Sequence, residues 1–206
     1  MSKYLKIGTL IFSIFIFSKN AQAQTFKAGL LAGFNLSQLH GDDLAGFNQI
    51  GFNAGGRVAV TPNERWMWTL DLTFSQKGSN KSTNDPLSAP FENFRLNYTE
   101  VPLMVHYLDW LDEDGDTPFY KLHFHGGFAW GRLLDFTVRD IDGIDVSDSQ
   151  DFNRNMFDLI AGATFWINPK IGVNGQYAFT VNNVRNDSNE QSLAGRTLTF
   201  RGIYMF

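Results

Sequence analysis

The chain has 206 residues, a formal net charge of −4 and no cysteine. An acidic balance argues against a nucleic-acid partner, which would require a basic surface. The lack of cysteine excludes a disulfide scaffold, a thiolate zinc site and a cysteine-linked lipid anchor. Aromatic residues make up 15% of the chain, with 20 phenylalanines beside 19 glycines. This composition is typical of transmembrane barrels, which use glycine for close strand packing and aromatic rings at the membrane interfaces.

Residues 1–23 have the pattern of a secretory signal peptide. Lys3 and Lys6 precede an apolar segment, Ile7–Phe17, and Ala21-Gln22-Ala23 supplies small residues at a cleavage position. The apolar segment is too short for a spanning helix, which needs about 20 residues. We therefore expect cleavage after Ala23 rather than a membrane anchor, and residues 24–206 are expected to form one domain.

The segment Trp66–Lys77, WMWTLDLTFSQK, alternates between two kinds of side chain. One face would carry Trp66, Trp68, Leu70, Leu72 and Phe74, and the other would carry Met67 and the polar residues at alternate positions from Thr69 to Lys77. A period of two indicates a β-strand, and the length suits a tilted strand crossing a bilayer, which needs about 9–11 residues. The pattern predicts lipid on the apolar face and a polar interior on the other.

Similar alternation recurs along the chain and predicts eight strands. They are Thr25–Ser37, Gln49–Thr61, Trp66–Lys77, Arg95–Tyr107, Pro118–Arg132, Asn155–Asn168, Ile171–Asn182 and Gly195–Phe206. A local irregularity is expected at Pro102, because proline disturbs strand pairing. The connections alternate between long and short, as in outer-membrane barrels with long outer loops and short periplasmic turns. The predicted fold is all-β, an eight-stranded antiparallel up-and-down transmembrane β-barrel in the outer membrane, and we expect a monomer.

The aromatic residues sort by height along these strands. The periplasmic girdle would hold Trp66, Trp68, Tyr107, Trp110, Phe119, Tyr120, Tyr204 and Phe206, and the outer girdle Phe34, Phe74, Trp130 and Phe157. A soluble lipocalin-like barrel has the same number of strands with its apolar side chains inside. The girdles and the small interior of an eight-stranded barrel favour the membrane barrel over this alternative.

The run Asn97–Val105, NYTEVPLMV, resembles the Tyr-x-Glu-(Ile/Val)-Pro-Leu core of the PorT-like outer-membrane β-barrel proteins of Bacteroidetes. The first strand, with KAGLLAGFNLS over Lys27–Ser37, and the Ala-Gln-Ala-Gln at the signal-peptide end are also similar to this family. The resemblance covers essentially the whole mature chain. It implies an eight-stranded outer-membrane barrel, without a defined activity for most members. The founding member is associated with the type IX secretion system, but no motif here carries that role.

The inward positions of the predicted strands hold a set of charged and imidazole side chains. They are Lys27, Arg57, Asp71, Lys77, Glu100, His106, Lys121, His123, His125, Asp158 and Arg201. A proton-linked or catalytic site is one interpretation. Buried charges must be paired, however, and opposite signs lie on neighbouring strands, as for Arg57 and Asp71. We therefore predict an internal network of salt bridges and hydrogen bonds that fills the barrel.

Two further kinds of site are considered and not favoured. His123 and His125 share one strand face and could begin a metal site with Glu100 or His106, but no third ligand spacing supports it. A lipid-modifying enzyme would need a Ser–His pair near the outer leaflet, and no serine lies at a matching height on a lipid-facing position. The sequence predicts no metal, no cofactor and no enzymatic activity.

Acidic residues concentrate in one predicted loop and one predicted turn. The loop within 134–153 holds Asp140, Asp142, Asp145, Asp148 and Asp151, and the turn holds Asp112, Glu113, Asp114 and Asp116. Neither has the ligand order of an EF-hand, so simple solvation is favoured and calcium binding at 135–152 stays open. The loop could instead contact cation-bridged lipopolysaccharide or a protein partner.

The sequence thus predicts a structural or interaction role in the cell envelope: adhesion, partner docking or membrane integrity. The expected partners are membrane lipid, lipopolysaccharide and an envelope protein that contacts the outer loops. A narrow channel for small solutes is the main alternative, followed by a lipid-modifying enzyme and a soluble lipocalin-like binder.

Overall fold

The computed structural model describes residues 25–40, 46–81, 91–114, 117–140, 142–147, 152–184 and 194–206. The predicted signal peptide and the acidic residues Asp116, Asp148 and Asp151 lie outside the described residues. Among the residues described, no helix has the length and apolar character that a membrane crossing requires.

Eight strands form one closed sheet. They are β1 Thr25–His40, β2 Gln49–Asn63, β3 Trp66–Asn80, β4 Phe91–Asp112, β5 Phe119–Asp140, β6 Asn155–Trp166, β7 Ile171–Thr180 and β8 Ala194–Met205. Each strand pairs antiparallel with the next along the chain, and β8 pairs back onto β1. The predicted eight-stranded antiparallel barrel is therefore confirmed.

The two ends of the barrel differ in their connections. The short connections β2–β3, β4–β5 and β6–β7 lie at one end, which we call the turn end. The longer connections lie at the opposite, loop end. In outer-membrane barrels the turn end faces the periplasm and the loop end faces the exterior.

The alternation of side chains places an apolar surface outside and a polar surface inside. Outward side chains such as Phe26, Leu72 and Phe128 are 68%, 60% and 55% exposed, so nothing in the described chain covers them. Inward residues of the same strands, including Asn35 and Asp71, are almost completely buried. A wide exposed apolar band around a buried polar interior fits a barrel wall facing lipid.

Strands β4 and β5 are longer than the sequence predicts, at 22 residues each. The predicted loop over 134–153 begins later, because residues up to Asp140 continue to pair with β4. A bulge at Asn97/Tyr98 shifts the register of β5, and beyond it Phe136 and Val138 turn inward against the interior. These apolar contacts stabilise the part of the β4–β5 hairpin that extends beyond the predicted strands.

The irregularity expected at Pro102 is limited to an interruption of pairing. The β3–β4 pairs stop at Leu70–Leu103 and resume in the same register at Thr73–Glu100. Proline has no N–H to donate to the ladder, which accounts for the gap. The bulges of this barrel lie elsewhere, at Val60/Asn63, on β4 between Phe91 and Asn93, and on β5 between Leu133 and Asp135, which pair with Tyr98 and Asn97.

Apolar clusters lie at both ends of the interior. The loop-end cluster consists of Leu39, Phe94, Leu96, Tyr98, Leu133, Val138, Phe152, Met156 and Val184. The turn-end cluster consists of Leu31, Ala59, Met67, Leu108, Trp166, Ile203 and Met205. The charged side chains lie in the layer between them, so the fold sets up a polar site between two apolar layers.

Candidate functional site in the barrel interior

The first charged cluster joins two arginines to one carboxylate. Arg57 and Asp71 face each other across the β2–β3 pair, and Arg57 Nε and Nη2 donate to the Asp71 oxygens at 2.7 and 2.8 Å. Arg201, on β8, donates from Nη2 to the same carboxylate at 3.3 Å. All three side chains are at most 1% exposed. With one anion for two cations, this cluster carries an excess positive charge.

Arg201 is held by uncharged side chains as well. Its Nε donates to Asn174 Oδ1 at 2.9 Å, and its Nη2 donates to Gln176 Oε1 at 2.9 Å. Asn174 is oriented in turn by donating to Thr164 Oγ1 at 3.0 Å. The guanidinium is thereby fixed across β6, β7 and β8, which stiffens this side of the barrel.

The second charged cluster has the opposite balance. Lys77 Nζ lies 2.5 Å from Glu100 Oε1 and 2.7 Å from Asp158 Oδ2, and Thr180 Oγ1 donates to Asp158 Oδ1 at 2.7 Å. One cation therefore serves two carboxylates. The two clusters together hold three cations and three carboxylates, which makes the interior neutral when all six groups are ionised. Pairing of this kind is what burial of charge demands.

Three histidine rings lie in contact beside the first cluster. The His106 and His125 rings lie 4.9 Å apart, and His123 lies 6.3 Å from His106. Trp166 Nε1 donates to His123 Nδ1 at 3.0 Å, and His123 Nε2 contacts the Tyr120 carbonyl at 3.2 Å. Among the side chains that the structure describes, no group of three or more acidic or imidazole residues is placed to hold a metal ion.

Two of the predicted network residues stand apart from it. Lys121 Nζ pairs with Asp112 at 2.8 Å and lies 5.8 Å from the Trp110 ring centre, in a partly exposed position. Lys27 is exposed at the turn end. Both lie near strand ends, where the wall no longer encloses a side chain. The other nine predicted residues are buried inside the barrel.

The predicted girdle residues lie on the outer surface with two exceptions, Phe119 and Tyr120, which are partly buried. Trp66, Trp68, Tyr107, Trp110, Trp130, Tyr204 and Phe206 are exposed, and Trp66 packs edge-on against Tyr107 at 5.4 Å. Tyr120 is only partly exposed and packs against the turn-end cluster. The Arg65 guanidinium lies 5.3 Å above its ring, so Tyr120 lines the turn-end mouth of the barrel rather than facing lipid.

The site also contains uncharged side chains that the predicted network does not name. Asn35 Nδ2 donates to Ser75 Oγ at 2.9 Å, and Thr199 Oγ1 donates to Asn35 Oδ1 at 2.9 Å. These residues, like Asn174 and Gln176, occupy inward positions of their strands. Strand alternation identifies these positions as inward, and a polar residue on an inward position needs a hydrogen-bond partner as much as a charge does.

A recess lies near each end of the described barrel. At the turn end, a cavity of about 210 Å³ is lined by residues including Arg57, Met67, Leu108, Trp166 and Met205. At the loop end, a polar recess of about 290 Å³ on the outer wall is lined by Asn80, Asn93, Arg95, Thr137 and Arg139. Both recesses offer room to another molecule.

Comparison with known proteins points to one family. Its sequence model, described as outer membrane protein beta-barrel domain, matches residues 20–186. Among solved structures, the chain is similar to the attachment invasion locus protein Ail of Yersinia pestis, with 14% identity, 87% of this chain and 98% of that chain covered, and a TM-score of 0.49. It is also similar to Neisserial surface protein A, with 12% identity, 90% of this chain and 100% of that chain covered, and a TM-score of 0.48. A further similar structure is OprG from Pseudomonas aeruginosa, with 10% identity, 89% of this chain and 97% of that chain covered, and a TM-score of 0.42. No curated protein sequence matches it significantly.

Proposed function

The chain belongs to the outer membrane protein beta-barrel domain family and is located in the outer membrane, and we propose that it has a structural or interaction role there: adhesion, partner docking or membrane integrity. Residues 1–23 are the cleaved signal peptide in this proposal, and residues 24–206 are the barrel. The narrower PorT-like assignment within Bacteroidetes rests on the motif residues Tyr98, Glu100 and Pro102 and is part of the same proposal.

The observation that carries the proposal is the filled interior. The loop-end cluster closes the barrel at its outer end. The first charged cluster, around Asp71, and the second, around Lys77, occupy the layer beneath it. An eight-stranded barrel has an interior only wide enough for such side chains. A solute passing through would have to separate buried ion pairs. This arrangement favours a structural or interaction role over a channel. The described histidine side chains lie inside the barrel, away from the outer leaflet where a lipid-modifying enzyme would work.

Conductance in planar bilayers tests this choice. Wild-type protein is expected to give no current steps. The variant Phe94→Ala with Phe152→Ala partly empties the loop-end cluster and measures how far that cluster blocks conduction. The two rings pack edge-on at 6.3 Å. Discrete, voltage-dependent current steps from correctly folded wild-type protein would contradict the structural or interaction role and show that the barrel is a channel.

We propose lipopolysaccharide as a partner of the loop-end recess on the outer wall. Arg95 and Arg139 are exposed on the face opposite to the buried Phe94 and Val138, and therefore on the membrane side. Arg95 lies four residues beyond Thr99, which pairs with Phe74 of the outer girdle, or about 13 Å along the strand. Because the strands of such barrels tilt by about 40°, this distance is a rise of about 10 Å, which corresponds to phosphate and sugar groups rather than acyl chains. Guanidinium groups bind phosphate well.

A double variant, Arg95→Gln with Arg139→Gln, tests this partner. Arg196 is also exposed, at the loop end of β8 and away from the recess, so Arg196→Gln is the matched control. Adding purified lipopolysaccharide is expected to raise the unfolding temperature of wild type and control, and to raise that of the double variant less. Equal stabilisation of all three proteins would remove the recess from the proposal.

A further inference from the structure

The turn-end cavity combines apolar walls with a buried cation at its inner end. Met67, Leu108, Trp166 and Met205 belong to the turn-end cluster and line the cavity. Arg57 lines it too and is only 2% exposed, which places this residue at the closed end. We propose that the cavity is a binding site for a small organic anion, a carboxylate with an aromatic or short aliphatic body. The inference is independent of lipopolysaccharide binding at the opposite end.

The charge of the cavity floor favours an anion. Arg57 and Arg201 share the single carboxylate of Asp71, so their cluster has an unbalanced positive charge. The Arg57 Nη1 atom is buried and has no hydrogen-bond partner among the described residues. A buried guanidinium nitrogen without an acceptor is costly, and a ligand carboxylate would supply the acceptor with charge-assisted geometry.

The other polar groups of the lining agree with this assignment. Lys27 lines the cavity from an exposed position and adds a second cation near its entrance. His123 already has hydrogen-bond contacts at both ring nitrogens, to Trp166 and Tyr120, so it does not compete for the ligand. Glu64, the one acid among the described residues of the lining, is exposed on the β2–β3 turn, where water screens its charge.

The volume sets the size of the ligand. A protein cavity of about 150 Å³ with apolar walls binds benzene, so 210 Å³ accommodates a body of one to two rings. The two methionine side chains of the wall can adapt to different shapes. Because the ion clusters block the interior beyond Arg57, a ligand entering from the periplasm would be held there and not passed through.

The test uses methionine methyl groups as reporters. Met67 and Met205 line the cavity, whereas Met104 and Met156 belong to other interior clusters. Protein isolated from outer membranes with ¹³C-methyl methionine is placed in lipid nanodiscs and titrated with 2-naphthoate. The signals of Met67 and Met205 are expected to shift saturably, and those of Met104 and Met156 to stay in place. The neutral analogue 2-naphthalenemethanol is expected to bind more weakly.

Two variants separate the site from general partitioning into lipid. Lys27→Gln is expected to weaken naphthoate binding about two- to fivefold, as for one exposed charge contact, and to leave the alcohol unaffected. Leu108→Trp fills the cavity and is expected to abolish both sets of shifts. Equal binding of acid and alcohol to the wild type would overturn the anion site. Equal shifts at all four methionines would overturn the cavity site, and the wild-type titration decides this even if the tryptophan variant does not fold.

Discussion

Asp71 on β3 and Arg57 on β2 are direct cross-strand partners, and two nitrogens of the guanidinium donate to the two carboxylate oxygens at 2.7 and 2.8 Å. Arg201 reaches the same carboxylate from β8 on the far side of β1. One acidic side chain therefore ties together strands that are not neighbours in the sheet. Side-chain ion pairs across the interior therefore connect the strands in addition to the backbone hydrogen bonds of the wall.

Replacing Asp71 with Asn should destabilise the barrel by about 3–5 kcal/mol, because two buried guanidinium groups lose their counterion. The change is measured as the free energy of unfolding in urea, from protein folded into lipid vesicles. Asp109→Asn is the matched control, since Asp109 pairs with Arg65 at 3.8 Å with both side chains half exposed. An exposed pair of this kind contributes about 0–1 kcal/mol. A loss for D71N no larger than that of the control would contradict a structural role for the cluster.

Lys77 should be the least replaceable member of the second cluster. Lys77→Met leaves the carboxylates of Glu100 and Asp158 buried without their shared cation, at a cost of about 3–5 kcal/mol. Glu100→Gln should cost less, because Lys77 keeps Asp158 as its partner. The triple variant K77M/E100Q/D158N should be more stable than K77M alone, because it buries no unpaired charge.

The measurement for Lys77 is the same unfolding free energy, arranged as a mutant cycle that reports the coupling of the three residues. Additive losses, with the triple variant the least stable, would show that the three side chains act independently. Such a result would contradict the shared pairing seen in the structure.

The sequence is sufficient to predict the fold where alternation is unbroken. From Trp66 to Lys77 each inward position is buried and each outward position is more exposed, so the predicted strand agrees with β3. In β5 the alternation breaks, because Leu134 and Asp135 are both exposed before Phe136 turns inward. The bulge shifts the inward positions by one residue, so apolar and polar residues no longer alternate in one register. The segment beyond it therefore resembles a loop in the sequence.

The same distinction applies to the site. Arg57 and Asp71 lie on consecutive strands, so the sequence can suggest their pairing. Lys77 and Asp158 are 81 positions apart, and their contact depends on how far the strands are staggered around the barrel, which no local pattern encodes. Alternation also cannot show where the wall ends, which is why Lys27, Lys121 and Tyr120 differ from their predicted surroundings.

The phase shift in β5 can be tested directly. Val138→Asn places an amide in the loop-end cluster, where Val138 is completely buried, and should cost about 1–3 kcal/mol. Thr137→Asn changes the neighbouring residue on the opposite face and should change stability by less than about 0.5 kcal/mol. Both are compared by urea unfolding. Reversed effects would place the inward face of this extension on the odd-numbered residues.

Gly33 and Gly202 give the sharpest test of how tightly the interior is packed. They belong to adjacent pairs of the β1–β8 ladder, Gly33–Arg201 and Ala32–Gly202. A Cβ added at Gly33 would overlap the backbone of Phe200 and Arg201, whereas one added at Gly202 meets its nearest atom, the Ala32 carbonyl oxygen, at 3.9 Å. Gly33→Ala should therefore cost about 1–3 kcal/mol through overpacking. Gly202→Ala should be neutral or slightly stabilising, because it restricts the unfolded chain. Urea unfolding of the two variants measures the difference, and equal stabilities would mean that the β1–β8 seam is wider than the structure has it.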